Sequence, residues 1–67
     1  MDVRGRLAEK MKEMRQRRGW SQEELAHQAS MHRTYVSGIE RRLRNPTITN
    51  VAKIALAFGC TIGELVD

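Results

Sequence analysis

Residues 33 to 44 bring Arg33, Thr34, Ser37, Arg41, Arg42 and Arg44 into one short span. Each guanidinium is a permanent cation with a rigid fork of donors, and each hydroxyl donates or accepts as its partner requires. This is chemistry for recognition: it suits a surface dense in hydrogen-bond acceptors and negative charge. No nucleophile, base and orienting group converge in the same way elsewhere in the chain, so catalysis is not expected.

The charge distribution points in the same direction. The 67 residues carry 12 Lys and Arg against 8 Asp and Glu, for a net charge of +4. The excess is confined to residues 1–18 and 31–46, while 19–30 and 47–67 are net acidic. A clustered positive field argues for a polyanionic partner such as nucleic acid, although a basic solvated helix face has the same composition. Arg17 and Arg18 are assigned to such a face.

Other classes of function lack support. No apolar run approaches the roughly 18 residues of a membrane span, and the N-terminus lacks a signal peptide's apolar stretch, so the cytoplasm is the expected location. Cys60 is the single cysteine, which excludes an internal disulfide and reads as a small buried thiol. His27 and His32 match no metal-ligand spacing, and no metal, cofactor or small-molecule ligand is expected.

The recognition residues need elements to hold them. Val3, Leu7, Met11 and Met14 recur at helical spacing among Arg and Lys, which predicts a first helix over residues 3–17, stopped by Gly19. Trp20 is expected to plug the corner that follows. Ser21 and Glu24 have capping-box spacing, opening a second helix with Leu25, Ala26 and Ala29 inward. A turn over residues 29–32, with Met31 in the corner, leads to a third helix from Arg33 to Arg41. There Val36 and Ile39 face inward, Tyr35 is partly covered, and Arg33, Thr34, Ser37 and Gly38 face out. Gly38 costs about 1 kcal/mol relative to Ala inside a helix, so it either permits close approach of a partner or is merely tolerated. Residues 42–46 read as a loop. A fourth helix, introduced by Pro46 and Thr47, has Ile48, Val51, Ile54, Ala55 and Phe58 inward and ends at Gly59. Thr61 and Glu64 repeat the capping box for a last helix containing Ile62 and Leu65. The expected fold is all-α, a single domain over residues 1–67 with five short helices, the second and third forming a helix-turn-helix.

At this point the chain resembles the Cro/lambda-repressor-like helix-turn-helix proteins, the XRE family. The blocks "RQRRGWSQEELAHQA", "RTYVSGIE" and "NPTITNVAKIALAFGCTIGEL" agree with it in residues and in spacing over nearly the whole chain. Within the family, "HRTYVSGIERRLRNPTI" looks most like the controller proteins of restriction-modification systems. The resemblance implies a lambda-repressor-like DNA-binding domain that acts as a homodimer on double-stranded DNA. By position it places Arg33, Thr34, Ser37 and Gly38 against bases, and Gln22, His32, Tyr35, Arg41, Arg42, Arg44 and Asn45 against phosphates. It also implies a structural ion pair between Arg15 and Glu40. Three positions depart from the pattern: His32 replaces the usual capping Ser, Thr or Asp, and Ser30 and Arg42 stand where Gly is common.

Leu43, Leu56 and Val66 have little interior left to fill and are read together as a two-fold interface beside helices 4 and 5. The competing reading is an antitoxin-type module whose apolar patch covers a partner toxin.

Overall fold

The computed structural model describes residues 3–67. Five α-helices follow one another: α1 (Val3–Arg17), α2 (Gln22–Gln28), α3 (Arg33–Glu40), α4 (Ile48–Phe58) and α5 (Ile62–Val66). There is no strand among the described residues. The third helix ends one residue earlier than expected, with Arg41 as its C-cap.

The helix starts are decided by local hydrogen bonds. Ser21, Thr47 and Thr61 all hold extended backbone at an N-cap, and their hydroxyls accept the N–H of Glu24, Asn50 and Glu64 respectively. Around Thr61 the box is complete, since the Glu64 carboxylate also accepts the N–H of Thr61 at 2.9 Å. Around Ser21 only the serine half forms. The Glu24 carboxylate turns along the helix and accepts from the Gln28 amide at 3.0 Å.

One core unites the helices. Leu7 and Met11 from α1 meet Leu25 and Ala26 of α2, Val36 and Ile39 of α3, Val51, Ile54, Ala55 and Phe58 of α4, and Leu65 of α5. Met14 and Met31 are half-buried against it, and Gly5 and Ala8 add to the buried side of α1. The side chain of Val3, assigned to the same stripe, lies outside the described residues. Buried area at roughly 25 cal/mol per Å² makes each fully enclosed Leu or Ile worth about 1.5–3 kcal/mol, so these few residues carry the domain. The radius of gyration is 10.3 Å, close to the roughly 11 Å typical of a chain this long.

One inward assignment is corrected. Ile48 is exposed, because it is the first residue after the Thr47 cap and points away before the helix reaches the core. Trp20 is half-buried: its ring stacks on Phe58 with centroids 5.7 Å apart, and the Arg18 guanidinium lies over both rings. Arg18 also donates to the Phe58 carbonyl, so it serves as a lid on this corner and is not merely solvated.

Two tight turns carry side chains where glycine is easier. Ser30 (φ 56°) and Arg42 (φ 63°) both hold left-handed backbone. Such residues cost free energy that the surrounding hydrogen bonds must offset. Met31 N–H bonds back to Ala26 at 2.9 Å, and Leu43 N–H to Gly38 at 2.8 Å, which closes each turn.

Candidate nucleic-acid interface

The outward side of α3 is built by burying its inward side. Val36 and Ile39 are enclosed, so Arg33 and Thr34 are left exposed and Ser37 half-exposed on the opposite face. His32 occupies the N-cap but its imidazole makes no capping hydrogen bond, leaving the ring exposed at the start of the helix. Gln22 and Arg33, from consecutive helices, line one open depression together with Arg15, Ser21 and Glu23.

Beneath that depression lies a buried charge network. The Arg15 guanidinium donates to both carboxylate oxygens of Glu40, at 2.9 and 3.1 Å, and to the Trp20 carbonyl at 2.9 Å. The Gln22 amide donates to the same carboxylate at 3.0 Å. Glu40 thus receives three hydrogen bonds in a site where its side chain is 1% exposed, which offsets the cost of burying the charge. For Gln22 the consequence is orientation: one amide donor is held inward, and the rest of the group is presented at the rim.

The C-terminal end of α3 differs from the sequence expectation. Gly38 does not face outward as expected: it is buried, and a Cβ there would collide with the Cγ of Arg44. The loop folds back over the helix because the N–H groups of Leu43 and Arg44 both donate to the Gly38 carbonyl. The Arg44 stem then lies across the glycine, with its guanidinium carbon 5.9 Å from the centre of the Tyr35 ring. Gly38 is therefore replaced in the surface set by the arginine that covers it. Arg42 reaches in another direction, to Glu9 of α1 at 3.3 Å. Arg41 and Asn45 are exposed.

Tyr35 has a partner that its sequence neighbourhood does not indicate. The Asn50 side-chain amide donates to the Tyr35 hydroxyl at 2.9 Å, linking the third residue of α4 to the face of α3. The apolar candidates for an interface also separate. Leu43 and Leu56 are exposed, at 69% and 82%, whereas Val66 is half-buried against the core and contributes mainly to the interior. Cys60 is half-buried, and burial followed by the Glu64 charge pushes its thiol up, with Arg18 opposing. Among the described residues no cluster of His, Cys, Asp or Glu could hold a metal ion. No described helix is long and apolar enough to cross a membrane.

This arrangement agrees with what comparison finds. Residues 11–65 match the family model described as Helix-turn-helix. The chain belongs to the helix-turn-helix family. Within that family it is 45% identical over 64 residues to a hypothetical transcription factor of Neisseria meningitidis serogroup B, covering 96% of this chain and 60% of that protein. It is 37% identical over 67 residues to the control protein C.BamHI of Bacillus amyloliquefaciens, covering 98% of this chain and 83% of that one. A crystal structure of the restriction-modification controller protein C.AhdI from Aeromonas hydrophila superposes with a TM-score of 0.87 at 35% identity, covering 92% and 94% of the two chains. The five-helix arrangement and its helix-turn-helix are thus those of this family of regulators.

Proposed function

We propose that this helix-turn-helix chain is a sequence-specific regulator of transcription that binds double-stranded DNA as a homodimer, in the manner of the controller proteins of restriction-modification systems. The observation that carries the reading is the amphipathic split of α3: Val36 and Ile39 are sealed inside while Arg33, Thr34 and Ser37 remain on the open face. An α-helix fits the major groove, and there an arginine can pair bidentately with guanine for about 1–3 kcal/mol of discrimination. Thr34 and Ser37 would add shorter contacts. Gln22, His32, Tyr35, Arg41, Arg44 and Asn45 surround this face and supply phosphate contacts, which give affinity and register without reading sequence. Arg42, tied to Glu9, contributes less directly.

Leu56 and Leu43 supply the exposed apolar surface for the two-fold contact. Two copies would place their recognition helices about 34 Å apart, one turn of DNA, so that the operator is a near palindrome. Regulation would follow from occupancy, the bound dimer either blocking polymerase or recruiting it, within the cytoplasm. The similarity to two controller proteins over nearly the whole chain supports the narrower assignment.

Selection of bound sites from random duplex DNA tests the proposal. The expected product is a two-fold symmetric consensus with half-sites one helical turn apart. An unenriched pool would overturn DNA recognition, and a single asymmetric site would overturn the dimer.

A further inference from the structure

We infer that Asn50 and Gly38 are positioning residues, which hold the Tyr35 hydroxyl and the Arg44 guanidinium as a two-point clamp on one DNA phosphate. The inference rests on the DNA-binding reading above and adds to it two groups that make no DNA contact of their own.

The first half of the clamp follows from hydrogen-bond polarity. A phenol oxygen both donates and accepts. Here the Asn50 amide donates to it, at 2.9 Å, and so occupies its acceptor side. The hydroxyl proton is then directed away from α4, available to an acceptor outside the protein. A phosphate oxygen is such an acceptor, and a charge-assisted bond to it is stronger than a neutral one. Asn50 is itself held in place, because its backbone N–H is bound by the Thr47 cap at 3.2 Å.

The second half follows from the missing side chain at residue 38. Arg44 is long and, on an open loop, would sample many rotamers, with an entropic cost whenever a contact fixes it. The bare backbone of Gly38 lets the stem lie flat on α3, and the two N–H bonds to the Gly38 carbonyl fix the loop at the same point. The guanidinium is thereby left over the Tyr35 ring, with its carbon 5.9 Å from the ring centre. A cation held over the Tyr35 ring and a neutral donor on that ring's hydroxyl match an anionic tetrahedral oxygen group.

Equilibrium binding of the full chain to a mixed-sequence 30-base-pair duplex, followed by fluorescence anisotropy across a salt series, reads phosphate contacts without needing the operator. Arg44→Ala should lower the slope of log affinity against log salt by about 1. Gly38→Ala should lower it by a similar amount through displacement of Arg44, and the double variant should lose nothing more. Tyr35→Phe should weaken binding roughly ten- to hundredfold at unchanged slope, as expected for loss of one charge-assisted hydrogen bond. Asn50→Asp, whose carboxylate would take the Tyr35 proton inward, should cost more with Tyr35 present than in a Tyr35→Phe background. Helix content and unfolding midpoint of every variant are measured in parallel, and Gly38→Ala should retain both.

Parental slope in Gly38→Ala would remove Gly38, and equal Asn50→Asp losses in both backgrounds would remove Asn50; either result overturns the inference while the parent still binds DNA. A parent chain that ignores the duplex even at low salt would overturn the function itself, and the clamp with it.

Discussion

Glu40 shows how much one side chain can couple. It is a charged group at 2% exposure that accepts from Arg15 twice and from Gln22 once. Because removing one partner of a buried pair leaves the other charge uncompensated, Glu40→Ala should destabilise the domain by about 3–5 kcal/mol. Thermal unfolding followed by circular dichroism checks this; a midpoint within a degree of the parent would show that the pair is dispensable. DNA binding by that variant is expected to fall with folding, so it cannot be used to assign a contact. Arg33 is the better residue for that purpose, since it is exposed and its loss should leave the core intact. Arg33→Ala should relax preference at one base pair of each half-site by about 1–3 kcal/mol, measured by repeating site selection. An unchanged consensus would move specificity to Thr34 and Ser37. At this scale the sequence placed Arg33, Thr34 and Ser37 outward, and they are exposed or half-exposed. It could not show that Gly38 is covered by Arg44, which depends on how the loop folds back onto α3, or that Gln22 shares the Glu40 carboxylate with Arg15, which joins residues far apart along the chain.

The helices are the level at which local chemistry was most legible. Caps at Ser21, Thr47 and Thr61, stops at Gly19 and Gly59, and the apolar repeats of α1 and α4 act over a few residues, so they can be read directly. What local reading overstated was reciprocity: Thr61 and Glu64 complete their box, while Glu24 has a competing partner in Gln28. The complete box makes a pH prediction for α5. Accepting the Thr61 backbone N–H, and next the Thr61 hydroxyl contact, holds the Glu64 carboxyl below its ordinary value. A carboxylate with a depressed folded-state pKa contributes stability above its unfolded pKa, and loses it as pH falls through the folded value. Glu64→Gln should therefore be less stable than the parent at neutral pH, with the gap closing in acid. A gap in unfolding midpoint that stays constant from pH 7 to pH 3 would show that the charge of Glu64 has no part in the cap.

For the whole molecule, the decisive feature is what remains uncovered once the core has closed. Leu56 stands out on α4 at 82% exposure, with Leu43 in the loop after α3. A single exposed leucine is ordinary on a protein surface; the two-fold proposal is what gives this one a role. Leu56→Lys should abolish the dimer with little loss of fold, because no core contact is removed. Sedimentation equilibrium checks it, and an intact dimer would place the interface on another face. The same variant should retain weak binding to nonspecific DNA but lose preference for a two-half-site operator, since phosphate contacts belong to each copy while register between half-sites belongs to the pair.

By itself the amino-acid order determined the succession of five helices, the position of the turn between the second and third, and the face of α3 that carries Arg33, Thr34 and Ser37. These depend on periodicity and on hydrogen bonds within a turn or two of backbone, where neighbours in sequence are neighbours in space. Tertiary structure alone decided that Asn50 meets Tyr35, that Arg18 caps the Trp20 and Phe58 rings, and that Val66 is drawn toward the core. Each of those depends on how helices pack against one another, and packing is set by the summed shape of a core to which all five contribute.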